Sequence, residues 1–273
     1  MAFRSLGEFL AALEAAGDLV RVAAPVGRDL EISEFSRRVI AADGPALLFE
    51  NVPGATMPVA MNVLGSARRI ALAFGTKDLD EPADRIARLV KLRPPSGVGA
   101  ALKDLSGTID MLGTLRSLGP KRVGSGPCQE VETDQVNLDE LPILRCWPDD
   151  GGRTLTFGVV ATADPETGET HTGIYRLQQY SPTTLGFHAQ IHRVGRGNLR
   201  KWAARGQRMP IAVAIGIDPV TLFASLAPVP EGVSKYAFAS FLREAPLELV
   251  RARTVDLEVP AQSEIVLEGY VDP

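Results

Sequence analysis

Three histidines, His171, His188 and His192, stand close together with an arginine, Arg176, among them, and the chain has no other histidine. His188 and His192 are four residues apart. On a helix that spacing puts both rings on one face; the alternating run Leu185–His192 would also put them on one side of a strand. Both readings stay open, as do surface or hydrogen-bonded roles for the rings. A zinc site is not expected, because no Cys, Asp or Glu stands at ligand spacing in this stretch. Arg176 closes the strand-like run Gly173-Ile174-Tyr175-Arg176. It is either an edge residue with its head in water or a planar two-pronged clamp for a carboxylate or phosphate.

Generic catalytic motifs are absent. No GxGxxG opens a helix after a strand, and there is no Walker loop, HExxH or GxSxG elbow. Gly65-Ser66 and Gly124-Ser125-Gly126 read as turns. Cys128 and Cys146 have neither disulfide-framework nor CxxC spacing, so a reducing cytoplasm is expected. The 29 basic and 33 acidic residues give a net charge of −4, evenly spread, which leaves no basic footprint for nucleic acid. Aromatic residues are only 6%, too few for a base-stacking platform. No apolar run is long enough for a membrane span, and the charged amphipathic N-terminus is unlike a secretory signal. With 45% apolar and 23% charged residues, the 273-residue chain can build an ordinary core. At about 150 residues per domain, it should form one large domain or two small ones.

The elements that must position these residues change character along the chain. The first part alternates helix and strand signals. Ser5 to Glu8 resembles a capping box ahead of the periodic Phe9, Leu10 and Leu13. Leu19–Val22 reads as a strand, Leu30–Ala42 as a helix, and Ala46–Phe49 and Pro58–Val63 as strands. Ala67–Phe74 and about Pro82–Leu92 follow as helices. From about residue 121 the texture is β: Cys128–Thr133, Leu155–Thr162, Thr172–Gln178, Ile211–Gly216, Leu247–Val250, Thr254–Val259 and Glu264–Val271 read as strands. One helix, about Asn198–Arg205, interrupts them. The expected fold is α+β, with an α/β domain over 1–120 and a barrel-like β domain over 121–273 joined near Ser117–Gly126.

Arg37-Arg38-Val39 followed by Gly44-Pro-Ala-Leu-Leu-Phe-Glu-Asn51 resembles the N-terminal domain of the UbiD family of carboxy-lyases. So do Asn62-Val-Leu-Gly-Ser-Ala-Arg-Arg69 and Leu141-Pro-Ile-Leu-Arg-Cys-Trp-Pro-Asp-Asp-Gly-Gly152. The resemblance runs on through Asp164-Pro-Glu-Thr-Gly168, Gly173-Ile-Tyr-Arg-Leu-Gln178, His188-Ala-Gln-Ile-His192 and Ala227-Pro-Val-Pro-Glu-Gly232. It ends in Leu249–Pro260 and Glu264-Ile-Val-Leu-Glu-Gly269. It implies a non-oxidative decarboxylase, similar to 3-octaprenyl-4-hydroxybenzoate carboxy-lyase, that takes an aromatic or α,β-unsaturated carboxylic acid. The family uses prenylated FMN with manganese and potassium, bound by a split β-barrel of the flavin-reductase type. A C-terminal oligomerisation domain follows in the family.

Residue by residue, Arg176 matches the family's catalytic arginine. Thr156, Gly173, Ile174 and Tyr175 match positions that line the flavin, and Ser225-Leu226-Ala227-Pro228 match the segment beside the flavin and its phosphate. His188 matches a histidine among the metal ligands. Two departures stand out. His171 occupies the place of a metal-binding asparagine, and Lys235 that of a metal-binding glutamate, although an ammonium cannot coordinate a cation. Lys235 is therefore expected to reach the flavin phosphate directly, with His171 and His188 as the remaining candidate metal ligands. The family's acidic PEGPFGE loop, which follows the Glu-Ile-Val-Leu-Glu-Gly strand, has no counterpart before Pro273, and Glu264 and Glu268 belong to the strand rather than to that loop. Three readings follow from the resemblance. The first is a truncated or split enzyme whose acidic loop comes from a second chain in a homo- or hetero-oligomer; this chain alone is expected to be inactive. The second is a scaffold subunit without activity, and the third an FMN carrier of the flavin-reductase type. No nucleic-acid or membrane partner is expected.

Overall fold

The structure, a computed structural model, describes residues 3–91, 119–229 and 234–273. Its first part is built around a short central strand. Helix α1 (Leu6–Ala15) starts where the Ser5 hydroxyl accepts the Glu8 N–H, and it buries Phe9 and Leu13. Strand β1 (Leu19–Val22) follows, then α2 (Glu31–Ala41), β2 (Ala46–Phe49), β3 (Val59–Met61), α3 (Ala67–Ala73) and α4 (Asp80–Lys91). The sheet order is β1-β2-β3, with β2 parallel to β1 and antiparallel to β3. All four residues of β2 are buried. Successive side chains of a strand point to opposite faces, so Ala46 and Leu48 join α1 on one side while Leu47 and Phe49 meet Ile32 of α2 on the other. That is why the segment reads as a continuous apolar run. The tail of the expected helix at Leu92 lies outside the described residues.

The second part begins with β4 (Lys121–Arg122) and continues through β5 (Thr154–Leu155), β6 (Val159–Ala163), β7 (Thr170–Ile174), β8 (Arg176–Ser181) and β9 (Thr184–His188). Helix α5 (Val194–Ala204) and β10 (Met209–Ile215) come next, followed by α6 (Pro219–Leu226) and α7 (Lys235–Arg243). Strands β11 (Glu248–Arg251), β12 (Glu258–Pro260) and β13 (Ile265–Val271) close the chain. Here the described strands form three sheets, of order β13-β10-β6-β7, β12-β11-β4 and β5-β8-β9. Among the described residues these sheets do not join into one closed barrel, and the arrangement is a mixed α/β one of small sheets.

Other corrections have local causes. Cys128–Thr133 is not a strand: Pro127, which has no N–H to donate, opens a 3-10 turn over Pro127–Gln129. Gly126 before it lies so close to Ala261 that an added Cβ would sit 2.7 Å from that residue. The run Thr172–Gln178 is not one strand but two. β7 pairs with β6, the chain leaves the ladder at Tyr175, and β8 pairs with β5 and β9 in another sheet. The histidine pair shares no single element, since β9 ends at His188 and His192 lies in the following turn. Two helices, α6 and α7, stand where the sequence reading placed none. Asp218 caps α6, accepting the Thr221 N–H at 2.9 Å ahead of Pro219 in the first turn. The Ser234 hydroxyl caps α7.

The two parts are tied by polar contacts, of which those of Arg28 are the more buried. The Arg28 guanidinium donates to the carbonyls of Asp139 and Leu141 at 2.8 and 2.9 Å, and Arg153 pairs with Asp29. Among the described residues no helix is long and apolar enough to cross a membrane.

Candidate functional site: a carboxylate-free cationic cradle on strand β7

Strand β7 carries His171 and Gly173 on one face, where its register with β6 sets them opposite Thr162 and Val160. Helix α5 lies against β6 and β7. It is held there by Asn198, which donates to the buried Thr162 hydroxyl at 3.1 Å, and by the Trp202 indole, which donates to the Ala163 carbonyl at 2.9 Å. This docking brings Arg193, the residue before α5, onto the end of β7. Its guanidinium donates to the Ile174 carbonyl at 2.9 Å and lies 4.9 Å from the centre of the Tyr175 ring, within cation–π range.

Tyr175 sits where the chain passes from one sheet to the next, with its side chain buried. Its hydroxyl oxygen accepts the Gly195 N–H at 3.0 Å and lies 3.1 Å from His171 Nε2. From the other side, Lys235 opens α7 and donates to the Ser225 carbonyl near the end of α6 at 2.7 Å.

Helices α6 and α7 both pack against β7, which brings the Lys235 end of α7 to the same strand as His171. Burial, then the positive charges of Lys235 and Arg193, push the His171 imidazolium down to about 4. Burial, then Arg193, push Lys235 down to about 8. No carboxylate perturbs either group, and among the described residues neither Arg193 nor Lys235 is in an ion pair. Gly173 leaves open the space between His171, Tyr175 and Arg193. A Cβ there would lie 2.9 Å from the Tyr175 ring, 3.3 Å from His171 Nε2 and 3.5 Å from Arg193 Nη2. A guanidinium and a neutral imidazole around a position kept clear by glycine, with the Lys235 ammonium at the start of the helix packed on the same strand, can receive an anion.

The same donor set does not fit manganese. Among the described residues no group of three or more His, Cys, Asp or Glu is placed to hold a metal ion. His188 stands in a different sheet from His171, and the nearby ammonium of Lys235 repels a cation. The same cationic surroundings disfavour potassium.

Arg176 follows Tyr175 directly but faces another surface. It is the Cα partner of His188 across β8 and β9, so the two side chains leave the same face of that sheet. Both are exposed, and Arg176 makes no hydrogen bond or ion pair among the described residues. Thr156 is exposed in the gap between β5 and β6. In the segment beside Lys235, the buried Ser225 hydroxyl is engaged by the Thr221 carbonyl of its own helix at 2.9 Å. Only the Ser225 carbonyl therefore takes part in the cradle. Leu226 and Pro228 are exposed, and Ala227 ends the helix. The sequence reading missed Arg193 and Gly195; an arginine followed by glycines at a helix start is the signal that could have found them.

The Tyr175 hydroxyl gives a stability test. Tyr175→Phe leaves the buried Gly195 N–H without its acceptor, which should cost about 1–3 kcal/mol in urea unfolding. A loss below about 0.5 kcal/mol would show that water replaces the hydroxyl there.

An N-terminal α/β layer followed by small β sheets with docked helices is a mixed α/β architecture, and family comparison says which family it belongs to. The 3-octaprenyl-4-hydroxybenzoate carboxy-lyase N-terminal domain matches residues 10–90, and the Rift-related domain of the same enzymes matches residues 121–273. The chain belongs to the UbiD family. A protein of Archaeoglobus fulgidus is 46% identical over 272 residues, covering 99% of this chain and 55% of that protein. Among solved structures, the evolved dimeric form of the UbiD-class enzyme HmfF from Pelotomaculum thermopropionicum, in complex with prFMN, is similar with a TM-score of 0.83 and 30% identity, covering 99% of this chain and 58% of that one. The closed form of Sedimentibacter hydroxybenzoicus vanillic acid decarboxylase gives a TM-score of 0.85 at 29% identity, covering 100% of this chain and 56% of that one. The chain thus spans little more than half the length of these relatives.

Proposed function

We propose that the chain is the N-terminal and flavin-binding portion of a UbiD-type non-oxidative carboxy-lyase for an aromatic or α,β-unsaturated carboxylic acid, with prenylated FMN as its cofactor. The observation that carries this reading is Arg176: an exposed guanidinium without an internal partner, one residue beyond the Tyr175 wall of an anion cradle. The relatives with prFMN and with vanillic acid decarboxylase activity support the same chemistry. In this reading the α/β domain extends to about residue 120, and the β sheets of 121–273 correspond to the family's split barrel.

His171, Gly173, Tyr175, Arg193 and Lys235 would hold the phosphate end of the flavin. Thr156 and the Ile174 backbone would line its body, beside Leu226, Ala227 and Pro228. When bound, the prenylated flavin supplies an electron sink for the carbanion left by departing CO2. Arg176 would orient the substrate carboxylate through its two-pronged donor geometry, and the exposed His188 stands beside it. A second chain of a homo- or hetero-oligomer would contribute the acidic loop. The lysine in place of a metal-binding carboxylate favours one alternative, a flavin-holding subunit without lyase activity.

The experiment is purification with any chain that associates, followed by the absorbance spectrum of the bound chromophore and an assay of CO2 release from aromatic and acrylic acids. Flavin absorbance with CO2 release is the expected result. Bound flavin without CO2 release from the complete assembly would select the alternative, and absence of flavin from the prFMN-supplied complex would overturn both.

A further inference from the structure

We propose that the cradle on β7 holds the dianionic phosphate of a phosphate monoester by direct contact with Lys235 and Arg193, with no bridging metal ion. The inference rests on the flavin reading for the identity of that monoester, but the cradle itself stands on the residues around it. Its parts come from three places in the chain: His171 and Gly173 on β7, Arg193 and Gly195 at the start of α5, and Lys235 at the start of α7. Each cation is anchored by one backbone carbonyl, Ile174 for Arg193 and Ser225 for Lys235. Anchored this way, both keep N–H donors unspent.

The balance of charge decides against a metal. A divalent ion bridging protein to phosphate needs carboxylate, amide or imidazole donors converging on it. Here the convergent groups are an ammonium, a guanidinium and one imidazole, and no acidic side chain shifts either Lys235 or His171. Two like charges in one partly buried pocket repel, and a dianion between them turns that repulsion into attraction. Arginine adds a planar fork that matches phosphate oxygens, and lysine adds a compact point charge. Gly173 matters for room, since any side chain there would meet His171, Tyr175 and Arg193 within contact distance.

The test is titration of the purified protein, within whatever complex it forms, with FMN, riboflavin and inorganic phosphate, each in EDTA and again in excess manganese. FMN is expected to bind at least about 10-fold more tightly than riboflavin, equally in EDTA and in manganese. Inorganic phosphate should compete with FMN but not with riboflavin. Lys235→Gln and Gly173→Ala should each remove most of the FMN advantage over riboflavin, and a urea-unfolding midpoint of Lys235→Gln close to wild type separates loss of the cradle from loss of fold. Lys235→Glu should bind FMN weakly in EDTA and regain affinity in manganese. Wild-type FMN binding that needs manganese, equal affinity for FMN and riboflavin, or a Lys235→Glu variant that binds FMN undiminished in EDTA would each overturn the proposal. If phosphate binds in a Lys235-dependent way while neither flavin does, the cradle stands and the flavin reading falls. If no phosphate compound binds, the cradle falls.

Discussion

Arg243→Met is expected to cost about 3–5 kcal/mol of folding stability. Arg243 lies in the last turn of α7 and Asp218 caps the first turn of α6. The two side chains form an ion pair with relative exposures of only 6% and 3%. Arg243 also donates to the Phe3 carbonyl at 2.9 Å, reaching back to the first helix's approach. Burial pushes the Asp218 carboxyl up, and Arg243 and the Thr221 contacts pull it down. Without the guanidinium, a buried carboxylate is left with no countercharge, and that uncompensated desolvation is what makes breaking such a pair costly. Removing both partners should cost less: Asp218→Asn with Arg243→Met keeps a capping oxygen and removes the orphan charge, so part of the loss is recovered. The sign of the pH dependence follows from the carboxyl. A group whose folded-state value is raised takes up protons on folding, so the single variant should regain stability relative to wild type as pH falls. Urea unfolding at neutral and mildly acidic pH checks both statements, and a single-variant loss under about 1 kcal/mol would contradict them. The effect reaches the site as well, because this pair fixes how α6 meets α7, and Lys235 of α7 is seated on the Ser225 carbonyl of α6.

In an assembly that decarboxylates, Arg176→Lys is expected to lower kcat/KM by roughly 100-fold or more, about 2.7 kcal/mol of transition-state stabilisation. Lysine keeps the positive charge but not the planar pair of donors that would hold a carboxylate bidentately. The fold should not feel the change. Arg176 is exposed on β8 and has no partner among the described residues, so unfolding midpoints should agree within about 0.5 kcal/mol. Rate loss without stability loss is therefore the expected signature. A variant that decarboxylates at the wild-type rate would remove Arg176 from the chemistry, and one that unfolds would show that its neighbours depend on it.

Much of the local structure was legible in the residues themselves. The Ser5 cap, the Phe9 and Leu13 spacing and the apolar run Ala46–Phe49 each carry their own signal, because capping and two-sided burial are local or nearly local requirements. The family motifs likewise singled out Arg176, Gly173, Tyr175 and Lys235 as the residues to look at. Other features lay beyond a linear reading. Helix α6 follows β10 within a long apolar stretch, Ile211–Leu226, where helix and strand periodicities cannot be separated. The break at Tyr175 is set by its buried hydroxyl contact with Gly195, twenty residues on, so Thr172–Gln178 looks like one strand until the partner is known. The residues of the cradle are spread from His171 to Lys235. Which of them meet depends on the β6–β7 register, the docking of α5 through Asn198 and Trp202, and the α6–α7 seat of Lys235. The resemblance to the family, read residue by residue, pointed to the kind of group to expect here, with a lysine and a histidine where the family has metal ligands. Only the tertiary packing decided that Arg193 meets His171 and Tyr175 around Gly173 while His188 pairs with Arg176 on another sheet, because the first meeting needs α5 docked on β6 and β7 and the second needs the β8–β9 register.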